Sequence, residues 1–167
     1  MRLPWVNADV IGISNQGSIN TGNGKDIIIA NGSSWGLSNI STIDTGDGDD
    51  IITATGSIGI YNVGIINTGN GQDSLIADGG FDGSGNVFLG NGKDYLKGFG
   101  TGNFNGENGK DTLELTSGSY TVGRSGTAVN FTKGISIMNT SEFEKLIAGS
   151  TTYDFSSLTN GQTISIA

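Results

Sequence analysis

The chain sets apolar against polar positions in short bursts, and the bursts recur. Aligned on Asp26, Asp50, Asp73, Asp94 and Asp111, each repeat carries a large aliphatic residue two positions on: Ile28, Ile52, Leu75, Leu96 and Leu113. Two further on stand Ala30, Ala54, Ala77, Gly98 and Leu115. A period of two predicts a strand with one buried face. Seven residues before each Asp lies another apolar column, Ile19, Ile43, Ile66, Val87 and Phe104, so strands bracket the turn on both sides. Gly32, Gly56, Gly79 and Gly100 mark a second corner. A third reads G-x-x-N, pairing Gly12 with Asn15, Gly36 with Asn39, Gly59 with Asn62, Gly83 with Asn86 and Gly100 with Asn103. Like side chains returning once per circuit are what stacking requires, each circuit lying on the last at a strand spacing of about 4.8 Å. The Asn column then reads as a structural ladder of shared amide hydrogen bonds.

The predicted fold class is therefore all-β, a parallel β-solenoid (β-helix or β-roll) of about five to six coils. The intervals between successive Asp residues are 24, 23, 21 and 17, so the coils taper toward the C-terminal end. From each Asn to the next Asp the count is 11, 11, 11, 8 and 8, which places the loss of three residues just before the fourth turn. After Gly118 the pattern changes, and residues 120–122, 128–131 and 135–138 alternate as strands between Gly turns. Glu144, Leu146 and Ala148 repeat the Asp column and its two apolar followers, which makes a sixth, degenerate coil. Tyr153, Phe155 and Leu158 are expected to plug the open core, and Trp5 and Val6 to cap the widest coil. Residues 1–118 thus read as the repeat solenoid and 119–167 as a C-terminal coil and cap of the same structural domain.

Composition narrows the chemistry. Gly supplies 30 of 167 residues with a single Pro and no triplet period, which excludes collagen. Sixteen acidic residues against eight basic ones argue against nucleic acid and against an anionic membrane surface. With no Cys and no His, thiolate sites, disulfides and the commonest zinc ligand and general base are excluded, so a bound metal must be oxygen-ligated. No apolar run is long enough for a membrane span. The N-terminal residues hold Pro4, Trp5 and Asn7 without the apolar stretch of a secretory signal, leaving a cytoplasmic protein, a signal-independent exported one, or a piece of a larger chain.

The turns themselves read TGNGKD (21–26), TGDGDD (45–50), TGNGQD (68–73), LGNGKD (89–94) and GENGKD (106–111). Two alternate glycines permit positive φ and let carbonyls turn inward, while the closing Asp supplies a carboxylate, and together these are hard-cation donors. Two ionised carboxylates about 4.8 Å apart at an effective dielectric of 20 repel by roughly 3 to 4 kcal/mol, which a calcium ion between successive loops would relieve. The bland alternative has each Asp accepting N–H groups of its own turn, with Lys25, Lys93 and Lys110 offsetting charge and no ion bound. The second loop, with Asp47, Asp49 and Asp50, is hardest to explain without a cation. The fifth is the weakest candidate, because Glu107 stands where the others have their first Gly.

These turns resemble the RTX, or hemolysin-type calcium-binding, nonapeptide G-G-x-G-x-D-x-U-x, over residues 21–115 as five imperfect copies. The resemblance implies a calcium-loaded β-roll in a secreted bacterial protein exported without an N-terminal signal. Carried over by position, the metal ligands would be the carboxylates of Asp26, Asp50, Asp73, Asp94 and Asp111, with Asp47, and the carbonyls of Gly22, Gly24, Gly46, Gly48, Gly69, Gly71, Gly90 and Gly92. In that family the nonapeptides run in tandem along both edges, whereas only one edge carries the motif here. The expected function is a calcium-binding structural or adhesive module, extracellular, with a glycan or cell surface as partner. The alternative is a carbohydrate-acting or carbohydrate- or ice-binding β-helix protein, for which Thr21, Thr45 and Thr68 form a regular file beside the turn that reads as exposed. No constellation of base and cations is visible, so an enzyme is not expected.

Overall fold

The computed structural model describes residues 11–167, so the expected Trp5 and Val6 cap lies outside the described residues. It is an all-β structure in which successive repeats lay their strands, in parallel and in register, onto the same sheets. The first sheet joins Ile11–Asn15, Trp35–Asn39, Ile58–Asn62 and Phe81–Asp82. The second begins with Ser18–Asn20, Thr42–Asp44, Ile65–Asn67, Asn86–Phe88 and Gly102–Asn105. The third stacks Ile27–Asn31, Ile51–Thr55, Ser74–Asp78, Tyr95–Lys97 and Thr112–Leu115, the strands that follow each Asp. A short fourth ladder links the turns themselves through Asn70–Gly71, Asn91–Gly92 and Asn108–Gly109.

The period-two pattern becomes columns of identical function. Ile28, Ile52, Leu75, Leu96, Leu113 and Leu146 stand in register and are buried, as do Ile43, Ile66, Val87 and Phe104 on the second sheet. Residues between them face outward, as the pleat demands. Where the repeats shorten, the core is refilled by larger side chains. Leu37 and Ile60 give way to Phe81 in the first sheet, and its ring meets Phe104 edge-on at 4.8 Å between centroids. Gly98 takes the place of Ala30, Ala54 and Ala77 because a Cβ there would lie 2.6 Å from the Phe81 ring. The first sheet ends at this level, with only a single bridge from Phe81 to Gly100.

The Asn column divides in two. Asn15, Asn39 and Asn62 occupy a buried corner, where Asn15 and Asn39 each donate to the next amide oxygen at 2.8 Å. Asn86 instead pairs opposite Ile65, on the outer face of the second sheet. The corner keeps its length there, with Gly83 in the place of Asn62, so the G-x-x-N lettering has shifted by three positions onto the strand. The residues expected to be lost just before the fourth turn are instead two, lost between Ala77 and Phe81, where the earlier repeat runs from Ala54 to Ile60.

Beyond Leu115 the chain reverses direction. Gly118–Ser125 and Ala128–Lys133 form an antiparallel hairpin, and Ala128–Lys133 pairs antiparallel with Ser136–Ser141, which in turn rejoins the second sheet parallel to Gly102–Asn105. Lys145–Ala148 then continues the third sheet, matching the expectation for Glu144, Leu146 and Ala148. Phe155, Leu158 and Ile164 are buried over the end of the core, with Tyr153 partly so. Arg124 holds this cap, its guanidinium donating to the carbonyls of Phe155, Ser156 and Leu158.

Candidate metal centre

The glycines of the turn are required twice over. Gly22, Gly46, Gly69 and Gly90 all have φ between 90° and 94°, in the left-handed region. A Cβ on Gly46 or Gly69 would also lie 1.9 Å from the carbonyl oxygen of the glycine one repeat earlier. Turns therefore stack backbone on backbone, and the fifth reaches the same shape with Glu107 at φ 64°. Four of the turn carbonyls each spend one lone pair along the stack. Those of Gly22, Gly46, Gly69 and Gly90 accept the N–H groups of Asp47, Asn70, Asn91 and Asn108 at 2.9 to 3.2 Å. Above them, the amides of Asn70, Asn91 and Asn108 donate in sequence to Asp47, Asn70 and Asn91, so Asp47 caps this exposed ladder rather than standing in the Asp column.

The Asp column lies beneath this layer. One oxygen of each carboxylate accepts the backbone N–H of the Asp in the preceding repeat: Asp50 from Asp26 (2.7 Å), Asp73 from Asp50 and Asp94 from Asp73 (both 2.8 Å), and Asp111 from Asp94 (2.9 Å). Glu144 completes the series, its Oε2 accepting Asp111 N–H at 2.7 Å. The bonds run between repeats, not within a turn as the ion-free alternative has it.

The other oxygen is the informative one. Oδ2 of Asp26, Asp50, Asp73, Asp94 and Asp111 is buried and has no hydrogen-bond partner. Asp50, Asp73, Asp94 and Asp111 are at most 1% exposed. Buried polar atoms are nearly always paired, and an unpaired carboxylate oxygen costs more than a neutral one. A Cβ on Gly106 would lie 2.8 Å from Asp111 Oδ2, so the glycine leaves that oxygen room. Among the described residues no third carboxylate gathers with any neighbouring pair into a compact cluster, so the donors form a file.

Burial makes ionisation costly at Asp73, Asp94 and Asp111. It raises the Asp73 carboxyl from an ordinary 3.8 to about 6, against the Asp50 N–H and the nearby Thr68 hydroxyl that lower it and with the charges of Asp50 and Asp49 adding to the rise. Asp94, buried between Asp111 and Asp73, rises to about 7, and burial together with Glu144 takes Asp111 to about 6. These groups hold protons more tightly folded than unfolded. Their contribution to stability is fully present below about pH 4 and is lost as pH rises through 6 to 7. In chelator, the melting temperature is therefore expected to be higher at pH 5 than at pH 8. A set of melts at unit pH intervals checks this, and a rise toward pH 8 would contradict the buried carboxyl column.

The threonine file reads differently in three dimensions. Thr45 and Thr68 are buried, and their hydroxyls donate to the carbonyls of Thr68 and Leu89 one repeat on, at 3.0 and 2.8 Å. An exposed threonine platform is thereby overturned; only Thr21, at the first described turn, is open to solvent. Sequence alone shows a column beside the turn but not which side of the backbone it takes. The stop at Leu89 was the available signal, because an aliphatic residue in the column marks it as interior.

No protein-family model matches the chain, and no curated protein matches it.

Proposed function

We propose that the chain is a calcium-binding β-solenoid of structural or adhesive type, secreted and non-catalytic, in which ions between successive turns neutralise the Asp column. The observation that carries this reading is the row of five buried carboxylate oxygens without a hydrogen-bond partner. The donor set fits: carboxylate oxygens recur in register, carbonyl oxygens of the turn glycines keep a second lone pair, and no softer donor is present. Asp26, Asp50, Asp73, Asp94 and Asp111 would hold the ions, aided by those carbonyls. A divalent cation would supply the positive charge that a dry row of carboxylates lacks. The parallel, in-register sheets and once-per-repeat columns support the solenoid reading.

Isothermal titration with calcium chloride of chelator-treated, desalted protein is the direct test. Several calcium ions per chain are expected at micromolar to submillimolar affinity, with magnesium weaker because it demands a tighter octahedral cage. Absence of any calcium heat up to ten millimolar would leave the column as a set of shared protons.

A further inference from the structure

The second sheet carries a feature that the ion column does not use. Along Asn86–Phe88, Gly102–Asn105 and Ser136–Ser141, the core positions Val87, Phe104, Met138 and Thr140 alternate with residues on the outer face. The register sets Asn86 opposite Asn103, Asn103 opposite Asn139, and Asn139 opposite Asn130 of the hairpin. Four amides thus cross four adjacent strands at about the 4.8 Å sheet spacing. Asn103 donates to Asn86 Oδ1 at 3.1 Å and Asn139 to Asn103 Oδ1 at 3.2 Å, which fixes the orientation of these amides. Gly123 follows in the row, where a Cβ would come within 2.3 Å of Asn130 Oδ1.

Beside the row runs a second outer column in which Phe88 is opposite Asn105 and Asn105 opposite Ser141. Between the two lies a groove of about 250 Å³, whose lining includes Asn86, Asn103, Asn139, Phe88, Asn105 and Ala128. No charged side chain lines it, on a chain whose net charge is −8. Such an interruption of the charge argues for an uncharged ligand.

The chemistry of the wall narrows the class. Asn103 spends one hydrogen and one lone pair within the ladder, and Asn86 and Asn139 one group each, so the row still offers donors and acceptors side by side at a fixed repeat. Hydroxyl groups, which donate and accept at once, satisfy such a row along its length. The half-buried Phe88 ring provides an apolar face for carbohydrate C–H groups at the row's edge. A protein partner would call for a larger apolar centre than this groove has.

We propose that this groove binds a neutral polysaccharide, lying across the strands along Asn86, Asn103 and Asn139 with one sugar ring against Phe88. The proposal is independent of ion binding in the turns. It is tested by affinity electrophoresis of the full chain, in calcium-containing gels cast with hydroxyethyl cellulose, galactomannan or dextran, and with alginate as the charged comparison. At least one neutral gel is expected to retard the protein, with Asn103→Asp and Phe88→Ala each weakening the retardation at least tenfold while leaving the thermal melt intact. Two variants are used so that misfolding of one does not decide the result. Retardation by none of the three neutral polymers, by alginate alone, or to an equal degree in both folded variants would overturn the proposal.

Discussion

Millimolar calcium, added to chelator-treated protein, is expected to raise the melting temperature by roughly 12–24 °C and to sharpen the transition. The size follows from linkage: a site with free calcium tenfold above its dissociation constant contributes about 1.4 kcal/mol, so four occupied sites give roughly 6 kcal/mol. At about 2–4 °C per kcal/mol for a domain of this length, that is the range stated. The four intervals between the five aspartates of the column set the number of sites, and Glu144 extends the row into the cap. Circular dichroism in calcium, in magnesium and in chelator is the measurement. Equal melting in all three would mean that protonation, not an ion, satisfies the buried oxygens.

A single substitution separates those two cases by the sign of its effect. Asp73→Asn keeps an oxygen to accept the Asp50 N–H, now 2.8 Å away, and puts an NH2 group where the unpartnered oxygen lies. In chelator at pH 8 the variant is expected to match or exceed the parent by about 1 kcal/mol, because it removes a charge that burial and the Asp50 and Asp49 carboxylates oppose. In calcium the order reverses, and the variant loses roughly 3 kcal/mol of the calcium increment as the sites on both sides of Asp73 weaken. Asp73→Ala, which also removes the acceptor for Asp50, is destabilised by about 1–3 kcal/mol in both conditions. Melts of the three proteins with and without calcium decide it. A variant Asp73→Asn less stable than the parent without calcium would show that the carboxylate is already satisfied.

Much of the architecture was legible because its period is long and its columns are chemically plain. Ile28, Ile52, Leu75, Leu96 and Leu113 align by inspection, and the register places them in one buried line. Even the distant Glu144 was legible, since Leu146 and Ala148 follow it at the spacing found after each Asp. Columns failed where spacing and sidedness diverge. The G-x-x-N lettering is constant through Gly83 and Asn86, yet the register puts Gly83 in the corner where Asn62 stands and Asn86 in the column of Ile65, so equal lettering names different columns. Thr45 and Thr68 looked like an outer file because threonine is at home on a sheet surface, whereas here their hydroxyls find carbonyls inside. The inter-repeat bonds of the Asp column were not legible either. A carboxylate can reach an N–H of its own turn or of the turn below with the same residue types, and only the stacking geometry chooses between them.

The reversal of direction after Leu115 bears on how the molecule would respond to pulling on either end. Each repeat up to that point is joined to its neighbours by rows of short bonds that break in succession when the chain is drawn from its N-terminal side, as a zip opens. Thr163–Ile166 instead lies antiparallel against Gly118–Ser125, more than forty residues back along the chain, with Arg124 fastened across the cap. The C-terminal strand is thus separated from the stacked repeats by the whole hairpin, as the edge strand of the second sheet. The two ends of the stack are fastened differently, one by strands laid down in order and the other by a strand that returns across the sheet.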